Sequence, residues 1–521
     1  MLLYPVLRTA FAWPGLLLLC ALPAACGDDG SPAVDAAPPA PDAFIPPPVG
    51  SFPAGFLWGT AVAPYQVEGG LHDNDWHQWE TLCPGCSGDH ADDGPDFWNQ
   101  YAVDLANAKS LHNNAIRLGI DWSRVFPTEA SFPDAPDAAA VARYHAILAE
   151  ARAQGLEPMV TLFHFVTPTW IHDLTDPTKR GWEDPATIAK FARFAQWAAA
   201  EFGAEVDWWI TINEPIVLVM AGWLSGDWPP GKTFQVQTML DVVGNLAFAH
   251  AAAYDALHAH DAADADGDGT AAKVSIASHN RVFQAKDPGS DDDVRAADLL
   301  RYLNNRWFVN AVVYGDLDRN FDLDADDPGD AKGETRLAGR LDWIGLNYYS
   351  VSLVVANPGG EFPLVGFPLM NDLPRQGFDA PITAYGWSIY PEGLREVLDE
   401  LRPYDLPIAI TENGLADGND TQRPRWLIDH LYVLAKAIDD GIPVEGYFHW
   451  SLMDNFEWSA GYCPQFGLFR VDRQSPARTR TAGEGATVYR RIIDANTVPP
   501  GLFAAYPDYG PPGGYCTRVG L

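Results

Sequence analysis

Two short segments of the chain end alike. "WWITINEP", Trp208 to Pro215, is an apolar run that stops on Asn213, Glu214 and a proline; "PIAITENG", Pro407 to Gly414, stops on Glu412 and Asn413. Each run reads as a buried strand, and a carboxylate at the end of such a strand is held at a defined place. Two carboxylates facing one another can divide acid/base from nucleophilic work. About 5–5.5 Å apart they suit hydrolysis of a glycosidic bond with retention; a wider gap admits a water and gives inversion. The two roles demand different pKa values. Arg117 and Tyr349 are candidates to hold one carboxylate ionised, while nearby negative charge raises the other. Asn213, just before Glu214, is placed to donate to a sugar 2-hydroxyl.

Something must bring these groups together. From Ser51 onward, near-continuous apolar runs of five to eight residues alternate with longer amphipathic stretches. The runs are "FLWGTAV" (Phe56), "NAIRLGI" (Asn114), "PMVTLFH" (Pro158), "DWWITIN" (Asp207), "KVSIASH" (Lys273), "DWIGLNY" (Asp342), "PIAITEN" (Pro407) and "VEGYFHW" (Val444). Runs of this kind suit parallel strands buried on both faces. Ile188, Phe191, Phe194, Ala198 and Phe202 repeat with a helical period, as do Val141, Tyr144, Leu148 and Ala151. The alternation also permits an open doubly wound sheet, but the count of strands favours a single α/β (β/α)8 TIM barrel with enlarged βα loops. The strand ends are then Gln66, Arg117, His164, Asn213 with Glu214, His279 with Asn280, Asn347 with Tyr349, Glu412, and His449 with Trp450. In such a barrel they are expected to converge on one axis at the C-terminal rim.

A metal site is the competing reading of a Glu/His/Asn cluster. There is no HExxH and no His pair at helical spacing, so no metal and no cofactor is expected. The acidic runs "DADGDGT" (Asp264) and "DLDRNFDLDADD" (Asp316) suggest calcium, but position twelve of an EF-hand loop starting at Asp264 is Ser275, not Glu. Solvated acidic loops are the expectation.

The chain of 521 residues carries 69 acidic against 34 basic residues, a formal charge of −35, which argues against nucleic acid and anionic lipid as partners. Residues 1–25 read as a signal peptide, with Arg8 early, an apolar core at Leu16–Leu19 and small residues before Cys26. Small residues followed by cysteine are similar to a bacterial lipoprotein site, which implies a lipid on Cys26 and an exported, periplasmic or cell-surface protein. Residues 26–50, rich in Pro, Ala and Asp, read as an extended tether. Residues 51–497 form the catalytic-type domain and 498–521 a Pro- and Gly-rich tail. Of the remaining cysteines, Cys83 and Cys86 lie in "CPGC" without a second pair at zinc spacing, and Cys516 is a candidate partner for Cys463. Disulfides or free thiols are the expectation in an oxidising compartment.

Taken in order, these motifs resemble glycoside hydrolase family 1, the β-glucosidases and β-galactosidases. "FLWGTAVAPYQVEGG" is similar to that family's N-terminal signature, "AIRLGIDWSRVFP" to its second strand and "VTLFHFVTPTW" to its third. "TINEP" and "ITENG" resemble its acid/base and nucleophile motifs, and "GYFHWSLMDNFEWSAGYCPQFGLFRVD" its sugar-cradling segment. The resemblance runs from about Phe52 to about Val471. It implies Glu214 as acid/base and Glu412 as nucleophile. It further implies that Gln66, His164, Asn213, Glu457 and Trp458 bond the hydroxyls of the terminal sugar, that Trp450 is the stacking floor, and that Phe466 lies near C6. Arg117 and Tyr349 would orient the nucleophile, with Tyr349 also against the substrate. A tryptophan suits the apolar face of a sugar ring, although core packing accounts for most of the 19 tryptophans.

Departures from the family pattern sit at the edge of the site. Phe165, Val166 and Thr167 stand where an aromatic-Asp-hydrophobic run is common, Gln465 replaces a frequent basic residue, and Arg470 a frequent aromatic. Glu457 would repel a phosphorylated sugar, so the expected substrate is a neutral oligosaccharide or glycoside with a terminal β-linked sugar. The alternative is a catalytically silent sugar-binding lipoprotein on the same fold.

Overall fold

The structure is a computed structural model that describes residues 46–320, 325, 330–356, 366–368, 381–513 and 516. The expected signal peptide, Cys26 and most of the expected tether lie outside the described residues. The chain is already docked at the end of that tether. The Tyr432 hydroxyl donates to the Pro47 carbonyl at 3.1 Å, and Val49 packs on the core.

Among the described residues, eight strands form the barrel: β1 Leu57–Ala61, β2 Ala115–Gly119, β3 Glu157–Phe163, β4 Trp208–Asn213, β5 Lys273–Ala285, β6 Ile344–Ala356, β7 Ile408–Gly414 and β8 Val444–Trp450. Each pairs in parallel with its neighbours, and the ring closes through β1 on β8 (Leu57 opposite Gly446) and β5 on β6 (Ala277 opposite Gly345). A closed parallel barrel, not an open sheet, is therefore what the alternating runs encode. The expected strands all form, shifted at their ends by a few residues except where β5 and β6 run on beyond the predicted segments.

Alternation along each strand sorts the side chains into two cores. One face meets the surrounding helices, where Phe191, Phe194, Ala198 and Phe202 of the helix Ala186–Phe202 are buried as the period predicts. The other face fills the lumen with Ala61, Ala115, Met159, Ile210, Ala277, Ala409 and Phe448. Trp208 and Trp343 close its lower end edge-to-face, with centroids 5.2 Å apart. Gly59 is required by this filling, because a Cβ there would lie 2.3 Å from the Phe448 ring. With the lumen packed from below, polar groups can gather only at the upper rim.

A hairpin outside the barrel, Phe469–Val471 with Arg480–Ala482, is pinned by one ion pair. The Arg480 guanidinium donates to both oxygens of Asp104 on the helix Phe97–Ser110, at 2.7 and 2.8 Å, and to the Pro95 carbonyl at 2.7 Å. Both side chains are buried. Arg480→Met leaves Asp104 without its partner, and urea titration is expected to show a loss of about 3–5 kcal/mol. An unchanged midpoint would mean that the hairpin is held by its apolar contacts alone.

Candidate active site

Strand alternation should send Asn213 and Glu214 to opposite faces, yet both reach the same centre. Glu214 leaves the extended region for the left-handed one (φ 44°, ψ 60°), its N–H donates to the Ala277 carbonyl at 2.7 Å, and Pro215 starts a short helix. That turn redirects the side chain over the lumen, where Oε1 accepts from Asn347 Nδ2 at 2.7 Å. A residue with a Cβ in this conformation costs about 1–3 kcal/mol, which the surrounding fold must supply.

Glu412 reaches the centre by another route. Between β6 and β7 the register passes from Leu346–Ile410 directly to Asn347–Glu412, so Thr411 is an extra residue and β7 bulges. Bulges re-aim side chains; here Thr411 Oγ1 donates to Asn347 Oδ1 at 2.6 Å while Glu412 still faces the lumen. Asn413, which follows Glu412 as Asn213 precedes Glu214, points away: its amide donates to the Tyr348 carbonyl and accepts from the Tyr447 hydroxyl. The similar tetrapeptides thus place their asparagines on opposite faces.

Glu412 is held by two donors. Arg117 Nη1 approaches Oε1 at 2.6 Å, and the Tyr349 hydroxyl donates to Oε2 at 2.6 Å. Arg117 also donates to Thr161 Oγ1, to the Thr411 carbonyl and to Asn213 Oδ1. Burial raises both carboxyls. For Glu412 the rise is opposed by Arg117, Tyr349 and Asn347. Glu214 is pushed well above the usual range by burial first and then by the charge of Glu412. One proton shared by the pair therefore belongs on Glu214. Asn347 Nδ2 donates to Glu214 Oε1 at 2.7 Å and to Asn213 Oδ1 at 3.2 Å, which ties the end of β6 to the end of β4.

Around this pair stand the other expected residues. Asn213 Nδ2 lies 3.3 Å from His164 Nε2, and burial and Arg117 lower the His164 pKa so that its ring is neutral. The His164 ring is nearly parallel to those of Trp450 and Trp458, at 6.0 and 6.1 Å. Gln66 Nε2 donates to Glu457 Oε2 at 3.2 Å, as does Asn455 Nδ2 at 2.6 Å, and Trp450 adds a third bond. Burial, the largest cause, raises Glu457 to about 8. Phe466 packs with Tyr349, Tyr385 and Trp387 at 6.2–6.4 Å. The structure thus brings together the two carboxyls and the residues that the family resemblance implies around them, while Cys26 lies outside the described residues.

Other expectations need correction or completion. His449 does not join the rim: its neighbours Phe448 and Trp450 take the lumen face, and its ring is buried outside the barrel against Trp426 and Tyr489. Asn280 likewise takes the outer face, accepting from Ser278 Oγ. Asn347, without an assigned role in the sequence, proves to be the amide that bonds Glu214, Asn213 and Thr411 together. The wall formed by Tyr385 and Trp387 left no signal beyond its aromatic content. Asp264, Asp266 and Asp268 cluster at the surface, bonded by backbone N–H groups of their own loop and by Lys273. Disulfides join Cys83 to Cys86 and Cys463 to Cys516.

A closed (β/α)8 barrel whose rim sets a protonatable carboxyl beside an ion-paired carboxylate has the arrangement of a glycoside hydrolase. Residues 49–498 match Glycosyl hydrolase family 1, and the chain belongs to that family. It is 33% identical over 513 residues to a beta-galactosidase of Pyrococcus woesei, covering 86% of this chain and 98% of that one. It is 32% identical to beta-glucosidase A of Thermotoga maritima, covering 82% and 95%. The beta-glycosidase from Pyrococcus horikoshii superposes with a TM-score of 0.75 at 31% identity, over 88% of this chain and 99% of that one.

Tyr349→Phe removes a donor to ionised Glu412, so the Glu412 pKa is expected to rise. Infrared difference spectra across a pH titration, with labelled carboxyls, would read this directly. A fall or no change would mean that Arg117 alone controls the charge.

Proposed function

We propose that this β-glycosidase removes one terminal, non-reducing, neutral β-linked sugar at a time, with Glu412 as nucleophile and Glu214 as acid/base. The observation that carries the assignment is the unequal holding of the two carboxyls. Arg117 and Tyr349 keep Glu412 charged and fixed for attack, whereas Glu214 keeps a proton to give. Glu412 attacks the anomeric carbon as Glu214 protonates the departing oxygen. A covalent glycosyl-enzyme forms, and the Glu412 charge that had raised Glu214 disappears into the ester. Glu214 can then act as base on the incoming water, which releases the sugar with its configuration retained.

Gln66, His164, Asn213, Glu457 and Trp458 bond the sugar hydroxyls, Trp450 carries its apolar face, and Tyr349 and Phe466 border it. Trp450 lies above Phe448 in the filled lumen, which supports entry of a chain from the rim, end first. Among the residues named around the sugar the one cation is Arg117, already paired with Glu412, which supports a neutral sugar over a phosphorylated one. Relatives named for glucosidase and galactosidase activity support glucose and galactose as the terminal residue. The N-terminal pattern supports export and lipidation at Cys26, and the two disulfides accord with an oxidising compartment.

Glu412→Gly is expected to abolish hydrolysis of an aryl β-glucoside. Added azide should restore reaction from the vacated face and yield the α-glycosyl azide; a folded variant that gives none would sink the nucleophile assignment. Proton donation by Glu214 requires its raised pKa, so wild-type kcat/KM falls as pH climbs through that pKa. Glu214→Gln should lose that alkaline limb, with turnover down about 10²–10⁴-fold. Persistence of the limb would place the acid elsewhere.

A further inference from the structure

The C-terminal tail reaches two walls of the sugar site. Cys516 is disulfide-bonded to Cys463, 53 residues earlier in the chain, on the loop that carries Trp458 and Phe466. The Cys516 N–H also donates to the Ala384 carbonyl at 2.9 Å, next to Tyr385, whose ring meets Phe466 and Trp387. Ala384 N–H in turn donates to the Ala416 carbonyl, four residues beyond Glu412. Upstream, the Pro511 carbonyl accepts from Thr421 Oγ1 at 2.6 Å, and Gly510 N–H approaches the Thr421 carbonyl at 3.4 Å. The tail thus crosses the loops after β6, β7 and β8. Only the disulfide fixes the β8 loop to it covalently.

We propose that the Cys463–Cys516 disulfide is a positioning clasp, holding the Trp458 and Phe466 platforms against the Tyr385 and Trp387 wall so that the sugar meets an already ordered pocket. The proposal rests on the reading of Trp458 and Phe466 as sugar contacts. Ordering a loop before binding removes that cost from binding. Opening the clasp therefore weakens substrate capture more than the bond-making step, whose groups Arg117, Asn347, Tyr349, Glu214 and Glu412 sit on barrel strands or directly at their ends. Cys463 is exposed, so an external thiol can reach the bond.

The test uses the full chain and a nitrophenyl β-glycoside that it hydrolyses. In a Cys83→Ser/Cys86→Ser background, kinetics are measured before and after dithiothreitol opens the remaining disulfide. The reagent supplies two electrons and two protons, the S–S bond becomes two thiols, and the reagent closes to its cyclic disulfide. Thiol titration counts the two sulfhydryls released. KM is expected to rise about 3- to 10-fold with kcat changed less than about twofold, and Cys516→Ser should match the reduced form. An unchanged KM with both thiols titrated overturns the proposal, as does a fall in kcat at constant KM. Reduction starts from folded protein, so the test survives if Cys516→Ser does not fold. Each arm measures an active enzyme; absence of any β-glycoside hydrolysis would instead sink the reading of the site.

Discussion

The rim of this barrel is organised around one buried cation. Arg117 is 1% exposed, and its guanidinium meets groups from β3, β4 and β7 as well as belonging to β2. A charge at that depth is tolerated only if paired and fully hydrogen-bonded. Thr161, Asn213, the Thr411 carbonyl and Glu412 meet that demand, and in doing so they set the relative heights of their strands. The same contact lets Glu412 remain ionised among aromatic rings. Without the guanidinium, burial would push the proton onto Glu412, and the difference between the two carboxyls would shrink.

Two strand ends that look alike are bent toward this centre by different devices. Glu214 depends on a left-handed backbone turn, and Glu412 on an extra residue in β7. Each departure from regular strand geometry costs energy and delivers a second polar side chain to a face that alternation would have denied it. Asn213 with Glu214 is one such pair, and Thr411 with Glu412 the other. Asn347, opposite both ends, turns these local distortions into a single network because its amide oxygen takes Thr411 and its nitrogen donates to Glu214 and Asn213. Gly414 belongs to the same account: a Cβ there would lie 1.9 Å from the Trp450 carbonyl, so β7 and β8 could not close beside Trp450.

Much of this was legible in the chain. Short apolar runs separated by amphipathic stretches specify a parallel barrel because strands buried on both faces cannot alternate polar with apolar. Where such a run ends on Arg, Glu or Tyr, the residue must lie at a rim. Legibility failed where position depended on parity at the last residue. His449 and Trp450 are adjacent, and only the register of β8 decides which of them enters the lumen. It failed again for Tyr385 and Trp387, which loops and not strands bring to Phe466. The acidic stretch at Asp264 shows a related limit. Its spacing suggests a cation, but Lys273 at the start of β5 supplies one within the protein.

Charge balance inside the mouth bears on the neutral substrate proposed for it. Three carboxyls, Glu214, Glu412 and Glu457, share a small buried space with one guanidinium. If all three were ionised, two negative charges would stand uncompensated in a medium that screens poorly. The structure resolves this by raising Glu214 and Glu457, the latter to about 8, while Arg117 answers Glu412. Raising these two reduces the uncompensated charge of the site, and His164 adds little because burial and Arg117 lower its pKa. On the proposed mechanism a neutral sugar adds no charge of its own to this space on entry. Positive character then grows on the sugar ring between Glu412, still anionic, and Glu214, which is giving up its proton. Electrostatic stabilisation is in this way reserved for the transition state.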